Sequence, residues 1–329
     1  MIRVAVIGVG HLGSSHARIY KRHDRCQLTG VFDTDQTKAG RIANEYGVKA
    51  FADLNEALSG CDAVSIATPT TSHFEIGLKA IEAGKHILME KPITANVAQA
   101  VELTGQARVK GIVLQVGHIE RFNPAFTSVM EFIRQPLFIE THRLSRFAGR
   151  GIEVDVILDL MIHDIDLILK LTGEEPSEIR CAGAPVLTST SDIANVRLEF
   201  RSGCTANITA SRISTHPMRK MRIFQKGGYI SIDFAERKSE VYLLSDDNAG
   251  PLGITPAFVV PAGVEGKSIR VFYPQVKQID MLEAEIGNFI DSIEKGIAPE
   301  VDGPAGLRAL KVAAMIIEHL PKLPSAPMK

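Results

Sequence analysis

The sequence predicts an α/β fold in two parts. Residues 1–120 read as a doubly wound parallel sheet with helices on both faces, and residues 121–329 as an α+β domain on a mostly antiparallel, open sheet. Three observations predict this. Strand-like and helix-like stretches alternate through the first 120 residues. Glycines at G-x-G-x-x-G spacing stand directly behind the first apolar run. Beyond residue 121 a period-two alternation of apolar and polar residues takes over, the pattern of strands joined by short hairpins. At 329 residues the chain is long enough for two cores.

The apolar, β-branched residues 4–7 form the first strand and run into Gly8-Val9-Gly10-His11-Leu12-Gly13. Gly8 permits the tight turn, Gly10 lets backbone approach a pyrophosphate, and Gly13 lets the next helix, about 11–22, pack close to the strand. That helix would present unpaired N–H groups and a positive dipole end to phosphates. A second strand, 28–32, ends in Asp33, twenty residues beyond Gly13, where a dinucleotide-binding (Rossmann) sheet places the acid that accepts from the adenosine ribose hydroxyls. A helix from 35 to about 46 and a short one near 53–58 follow. The strand 63–67 opens into Thr68-Pro69-Thr70-Thr71, and Ser72 with Glu75 reads as a capping box for a helix ending at Gly84. The strand 86–89 leads into Glu90-Lys91-Pro92, then a helix about 95–109 and a last strand 112–116. Ligands of such sheets sit beyond the carboxyl ends of the strands, the edge that carries the glycines, Asp33, Thr68-Pro69 and Lys91. In the second part a long apolar helix, about 155–171, is set among strand-like stretches at 195–200, 205–211, 221–225, 229–234 and 240–244. Helices at about 278–295 and 303–320 close the chain and are expected to pack back against the first domain, with a Pro-rich frayed tail beyond.

Composition excludes several classes. Hydrophobic residues make up 45%, which suits packed cores and argues against disorder. A formal net charge of -1, with no basic block, gives no electrostatic footprint for nucleic acid or an anionic membrane. The four cysteines, at 26, 61, 181 and 204, are far apart and form no C-x-x-C pair, so neither a zinc site nor a disulfide framework is expected. Free thiols suit a reducing cytoplasm. The stretch 154–171 is too broken by charge to span a membrane, and no signal peptide is read at the N-terminus.

Chemistry concentrates in two places. Lys91 ends a strand on the cofactor edge between Glu90 and Pro92, and the proline biases its backbone to an extended, stiffened conformation. Asp159 and His163 are i,i+4 neighbours on the long helix, where carboxylate and imidazole share one face, with Asp164 and Asp166 beside them. A surface ion pair or a metal half-site would use the same spacing, but no third and fourth metal ligand is evident. On so apolar a helix these charges need a cavity or partners, which favours a catalytic cluster.

These segments together resemble the Gfo/Idh/MocA family of nicotinamide-dependent sugar oxidoreductases, over essentially the full length. The matching elements are Gly8-x-Gly10-x-x-Gly13, Ala67-Thr68-Pro69 with His73, Glu90-Lys91-Pro92, the run 117–124 with Arg121 and Asn123, Asp159-x-x-x-His163-Asp164-x-Asp166, and Gly303-x-x-Gly306-x-x-Ala309-Leu310. The resemblance implies that Lys91 and His163 are catalytic with Asp159 assisting, that His11, Leu12, Thr68, Pro69, His73 and Glu90 lie at the cofactor, and that Arg121 and Asn123 contact nicotinamide or substrate. It also implies a second-domain sheet used for homodimer or homotetramer formation. The reaction implied is oxidation of a sugar hydroxyl, with His163 the best candidate to take the proton and Lys91 to stabilise the alkoxide, although family members differ in which of the two takes the proton. NAD is expected over NADP, because Thr34 and Asp35 follow Asp33 with no adjacent Arg or Lys, and two carboxylates would repel a further phosphate.

The segment 141–155 carries Arg143, Arg146 and Arg150, and Ser211-Arg212 adds a further cation. Arginine's fixed fork suits a diphosphate, although solvated surface charge is the alternative. With this segment the chain resembles the branch that oxidises the 3-hydroxyl of UDP-N-acetylglucosamine or its uronic acid. The expected substrate is thus a UDP-N-acetylhexosamine, contacted by Arg143, Arg150, Arg212 and Asp166. A free sugar or inositol dehydrogenase, an imine or enone reductase, and a non-catalytic dinucleotide-binding regulator are the alternatives. A regulator would be expected to have lost Lys91 or His163.

Overall fold

A computed structural model describes residues 1–147, 154–246, 255–264 and 266–321. The chain divides into two compact units, one of residues 1–122 with 279–311, the other of 123–278 with the chain from 312 onward.

The first unit holds the strands β1 (Ile2–Ile7), β2 (Cys26–Phe32), β3 (Lys49–Ala50), β4 (Ala63–Ile66), β5 (His86–Glu90) and β6 (Leu114–Gly117). They form one parallel sheet in the order β3-β2-β1-β4-β5-β6. The order reverses between β1 and β4, the switch point where such sheets bind ligands. The helices are α1 (His11–Arg22), α2 (Gln36–Tyr46), α3 (Leu54–Ser59), α4 (His73–Glu82) and α5 (Val97–Val109). The capping box expected at Ser72 is absent. Ser72 ends a 3₁₀ turn and its hydroxyl lies 2.8 Å from both the Thr68 hydroxyl and the Pro69 carbonyl, donating to the latter, instead of capping α4. The proline at 69 and the two threonines favour a tight turn of their own, which takes the serine first. Caps form as side-chain chemistry dictates elsewhere: Asp35 accepts from the backbone N–H groups of Thr37 and Lys38 at the start of α2, and Asn96 from that of Gln99 at the start of α5.

Chain from the C-terminal part completes this unit. In α8 (Met281–Lys295), Leu282, Ile286, Phe289, Ile290 and Ile293 follow the 3.6-residue period and join a core with Val4, Val6, Tyr20 and Leu28. The helix α9 (Gly303–His319) begins in the first unit and crosses into the second at residue 312.

The second unit is a nine-stranded sheet flanked by helix. A short helix, α6 (Pro124–Thr127), precedes β7 (Pro136–Leu144), and α7 (Ile162–Thr172) precedes the strands β8 (Glu178–Ala184), β9 (Ile193–Glu199), β10 (Thr205–Ser211), β11 (Met218–Gln225), β12 (Gly228–Asp233), β13 (Lys238–Asp246), β14 (Phe258–Pro261) and β15 (Lys267–Phe272). Their order is β14-β15-β13-β12-β11-β7-β10-β9-β8, antiparallel except at β7/β10. On the inner face Ile139, Ala206, Ile208, Met221, Ile223, Ile230 and Ile232 are fully buried. On the other face Phe138, Phe224, Tyr229 and Tyr242 stand directly opposite one another across β7, β11, β12 and β13, with ring centroids 5.0 to 5.8 Å apart. No helix among the described residues is long and apolar enough to cross a membrane.

Candidate active site

In the first unit the residues expected at the cofactor gather at the carboxyl ends of the strands, because each follows its strand directly. Gly8 has φ +83°, and a Cβ there would lie 2.7 Å from the Thr68 methyl and 2.9 Å from the Ala67 backbone. A Cβ on Gly13 would lie only 1.8 Å from the Gly8 carbonyl oxygen, so α1 sits against the turn as closely as a glycine allows. Nothing in the protein lies within 4 Å of a Cβ built on Gly10. The turn is therefore closed by protein at Gly8 and Gly13 and open at Gly10, a cradle shaped for a pyrophosphate on an α1 N-terminus that no side chain caps. His11 and Leu12 are exposed beside it. At the end of β2 the Asp33 carboxylate accepts from the backbone N–H of Val9 at 2.8 Å and of Asp35 at 2.9 Å, which fixes it beside the glycine turn. Lys38, the nearest cation of α2, pairs with Asp35 at 3.3 Å. The residues present thus fit NAD: the turn for its diphosphate and Asp33 for its ribose.

At the end of β5 Lys91 is half-buried, and its peptide bond to Pro92 is cis. Glu90 is held on both oxygens: Oε1 accepts from His16 Nε2 at 3.0 Å and Oε2 from the Lys91 backbone N–H at 3.2 Å. His73 is buried, its ring nitrogens each 2.9 Å from a carbonyl oxygen, that of Pro92 and that of Thr68. Burial pushes its pKa down while the two carbonyls favour the charged ring; a neutral ring donates to one of them, a protonated ring to both. Arg121 is buried against the Glu300 carbonyl and carboxylate at 3.4 and 3.6 Å. Glu90, His73 and Arg121 thus each make contacts to protein groups that hold the loops in place.

In the second unit the long apolar helix starts with a π-helical turn, Ile157–Met161, in which the N–H of Ile162 bonds the carbonyl of Ile157. Asp159 lies on this wide turn and His163 on the first turn of α7, both half-buried; four residues still bring them near one face, since the π period only slightly changes the angle between them. Asp164 is buried and closes on Arg143 of β7 in a bidentate pair at 2.8 and 3.1 Å, with the Arg143 guanidinium 5.8 Å from the Phe234 ring centre. Asp166 is buried. Arg212 pairs with Asp192 at 2.8 Å and donates to the carbonyls of Val154 and Ser191 and the hydroxyls of Thr188 and Thr190. Asp192 also accepts from the N–H groups of Val186, Leu187 and Thr188, and these bonds hold its carboxyl far below the usual range although burial alone would raise it. Asn123 caps α6 by accepting from Ala125 N–H at 3.0 Å and donates to the Phe234 carbonyl. Arg143 and Arg212 are thus buried with their forks on carboxylates of their own unit, and Asn123 is buried between backbone groups of Ala125 and Phe234. Arg150 lies outside the described residues. No group of three His, Cys, Asp or Glu among the described residues is placed to hold a metal ion.

Sequence reasoning missed His16, Ser65, Glu285 and Asp192. Two of these carried a signal: His16 and Glu285 fall on the apolar stripes of α1 and α8, where a polar residue must find a partner.

Residues 2–118 match the oxidoreductase family with an NAD-binding Rossmann fold, and residues 133–231 match the Gfo/Idh/MocA C-terminal domain. A UDP-N-acetylglucosamine 3-dehydrogenase of Acidithiobacillus ferrooxidans is 38% identical over 320 residues, 96% of each chain. The chain belongs to the Gfo/Idh/MocA family. The solved structure of that dehydrogenase superposes with a TM-score of 0.87 at 36% identity over 97% of each chain. A myo-inositol 2-dehydrogenase of Thermotoga maritima is 26% identical over 94% of this chain and 93% of its own. The scyllo-inositol dehydrogenase of Lactobacillus casei, solved with NAD(H) and scyllo-inositol, shares the fold at a TM-score of 0.77 and 19% identity over 97% of each chain. Family membership makes the chain an oxidoreductase with an NAD-binding first unit.

Proposed function

We propose that this protein oxidises the 3-hydroxyl of a UDP-N-acetylhexosamine, UDP-N-acetylglucosamine first, with NAD as acceptor. The observation that carries the substrate is the 38% identity, spread over 96% of both chains, to a dehydrogenase of that sugar nucleotide, against 26% for the inositol enzyme. Bound NAD supplies the hydride acceptor. The protein's own task is the proton and the charge. His163 takes the proton of the hydroxyl as its C–H bond breaks, because an imidazole titrates near operating pH. The Lys91 ammonium stabilises the developing alkoxide by charge and hydrogen bonding, from a loop fixed through Glu90 and His73. Asp159, close to the same helix face, orients the imidazole or holds a neighbouring hydroxyl. Arg150 is the arginine proposed first for the diphosphate.

The test is calorimetric titration of NADH-loaded protein with UDP-N-acetylglucosamine, free N-acetylglucosamine and myo-inositol. Preference for the sugar nucleotide, weakened by Arg150→Ala, is expected; preference for a free sugar or inositol contradicts the substrate assignment and leaves the dehydrogenase reading intact. We also propose that the protein is a cytoplasmic homodimer or homotetramer that associates through the aromatic face of the nine-stranded sheet. Support comes from four free cysteines and from the row of rings on that face.

A further inference from the structure

The segment Glu90-Lys91-Pro92 is gripped from two sides by buried histidines. On one side His16, 1% exposed on α1, donates through Nε2 to Glu90 Oε1 at 3.0 Å, while its Nδ1 lies 2.6 Å from the Ser65 hydroxyl of β4. Glu90 passes the contact on, its Oε2 accepting the backbone N–H of Lys91 at 3.2 Å. On the other side the His73 ring lies 2.9 Å from the carbonyl oxygen of Pro92. The cage is tight, since a Cβ on Gly117 of β6 would lie 3.0 Å from Glu90 Oε2. A second carboxyl, Glu285 of α8, is fully buried with neither oxygen hydrogen-bonded.

The two acids respond oppositely. Burial raises the pKa of both, but the hydrogen bond from His16 and the charges of His16 and Lys91 outweigh it at Glu90, which is held below the usual range. Glu285 has no such bond, and burial with the negative charge of Glu90 pushes it well above its usual value. The titratable groups facing these carboxyls are His16 and Tyr20 on α1, His73 on α4 and Lys91 itself. Glu285 is thus held toward its neutral form, and Glu90 toward its ionised form.

We infer that His16, oriented by Ser65, is a positioning residue that sets the Lys91 loop through the Glu90 carboxylate. The inference rests on the catalytic role proposed for Lys91, and it assigns a function to a helix residue outside the glycine motif. Removing the His16 donor frees Glu90 Oε1, raises the Glu90 pKa and loosens the loop. A reacting group misplaced by about 1 Å costs on the order of 100-fold in rate.

The test uses the full chain loaded with NAD and labelled with [¹⁵N]lysine, the Lys91 amide resonance being assigned by its loss in Lys91→Arg. That resonance is expected to shift with pH as Glu90 titrates. The midpoint should rise in His16→Leu and return toward wild type in His16→Gln, whose amide reaches Glu90, and the titration should vanish in Glu90→Gln. Turnover in His16→Leu should fall by about 10- to 100-fold with KM nearly unchanged, and the acid limb of the kcat/KM profile should move to higher pH. Ser65→Ala gives the same readings should His16→Leu fail to fold. A Lys91 amide midpoint unmoved by these substitutions overturns the inference. The amide titration needs no substrate, so absent turnover on UDP-sugars would overturn the proposed activity while the resonance still decides the role of His16.

Discussion

Lys91 and His163 are the residues proposed to carry the chemistry, and each sits where neighbours fix its backbone: Lys91 through Glu90, and His163 through the bidentate Asp164–Arg143 pair one residue along. Lys91→Ala and His163→Ala should each lower turnover by about two to four orders of magnitude with NAD affinity little changed, the range for removing a positioned acid-base or electrostatic group. Steady-state rates and NAD titrations check this; lost NAD binding with normal turnover would make them cofactor ligands. Glu285 makes a different statement. Its folded pKa is raised, so its contribution to stability is intact below the unfolded carboxyl value of about 4.3 and declines as pH rises from there toward the folded value. Glu285→Gln removes that titration, so its melting temperature should gain on wild type as pH rises above the unfolded carboxyl value of about 4.3. A constant difference would mean that Glu285 is ionised throughout. Residue types and spacing made Asp33, Lys91 and the Asp159–His163 pair legible in the sequence. The partners of Arg143 and Arg212 were not legible, because sequence shows an arginine's charge but not which buried carboxylate, Asp164 or Asp192, it meets.

At the scale of elements the glycine turn separates folding from binding. Gly13→Ala drives a Cβ to 1.8 Å from a backbone oxygen, so it should destabilise the protein and weaken NAD together. Gly10→Ala meets no protein atom within 4 Å, and Gly10 has φ -66°, which alanine adopts readily. It should keep its melting temperature and lose NAD affinity by about 10-fold or more, since its methyl occupies the space needed for backbone approach to the pyrophosphate. Thermal melts with NAD titration decide it, and unaltered NAD affinity in Gly10→Ala would move the diphosphate elsewhere. The alternating strands and helices of the first unit were readable because each strand is a short apolar run closed by turn residues. The central strand β7 was not read, since Glu140, His142 and Arg143 mask its period-two pattern; Arg143 is inward-facing yet charged. The π turn was invisible because its one-residue widening leaves the apolar pattern intact.

For the whole molecule, the row Phe138, Phe224, Tyr229 and Tyr242 predicts assembly. Phe224, 38% exposed at its centre, is the ring to change. Phe224→Asp should lower the sedimenting mass toward the 35.8 kDa of one chain while leaving NAD binding intact. A wild-type protein that already sediments as one chain contradicts the proposal. Sequence made the architecture visible because the binding sheet and the antiparallel sheet follow one another along the chain; residues 279–311 join the first unit, as expected of the closing helices. The central claim is oxidation of a UDP-N-acetylhexosamine at the expense of NAD. It is tested most directly by following reduced nicotinamide absorbance with UDP-N-acetylglucosamine, free N-acetylglucosamine and myo-inositol in turn, with a carbonyl trap to draw the reaction forward. The account predicts reduction of NAD with the sugar nucleotide and a trapped 3-keto product; reduction with inositol or the free sugar but none with UDP-N-acetylglucosamine would contradict it.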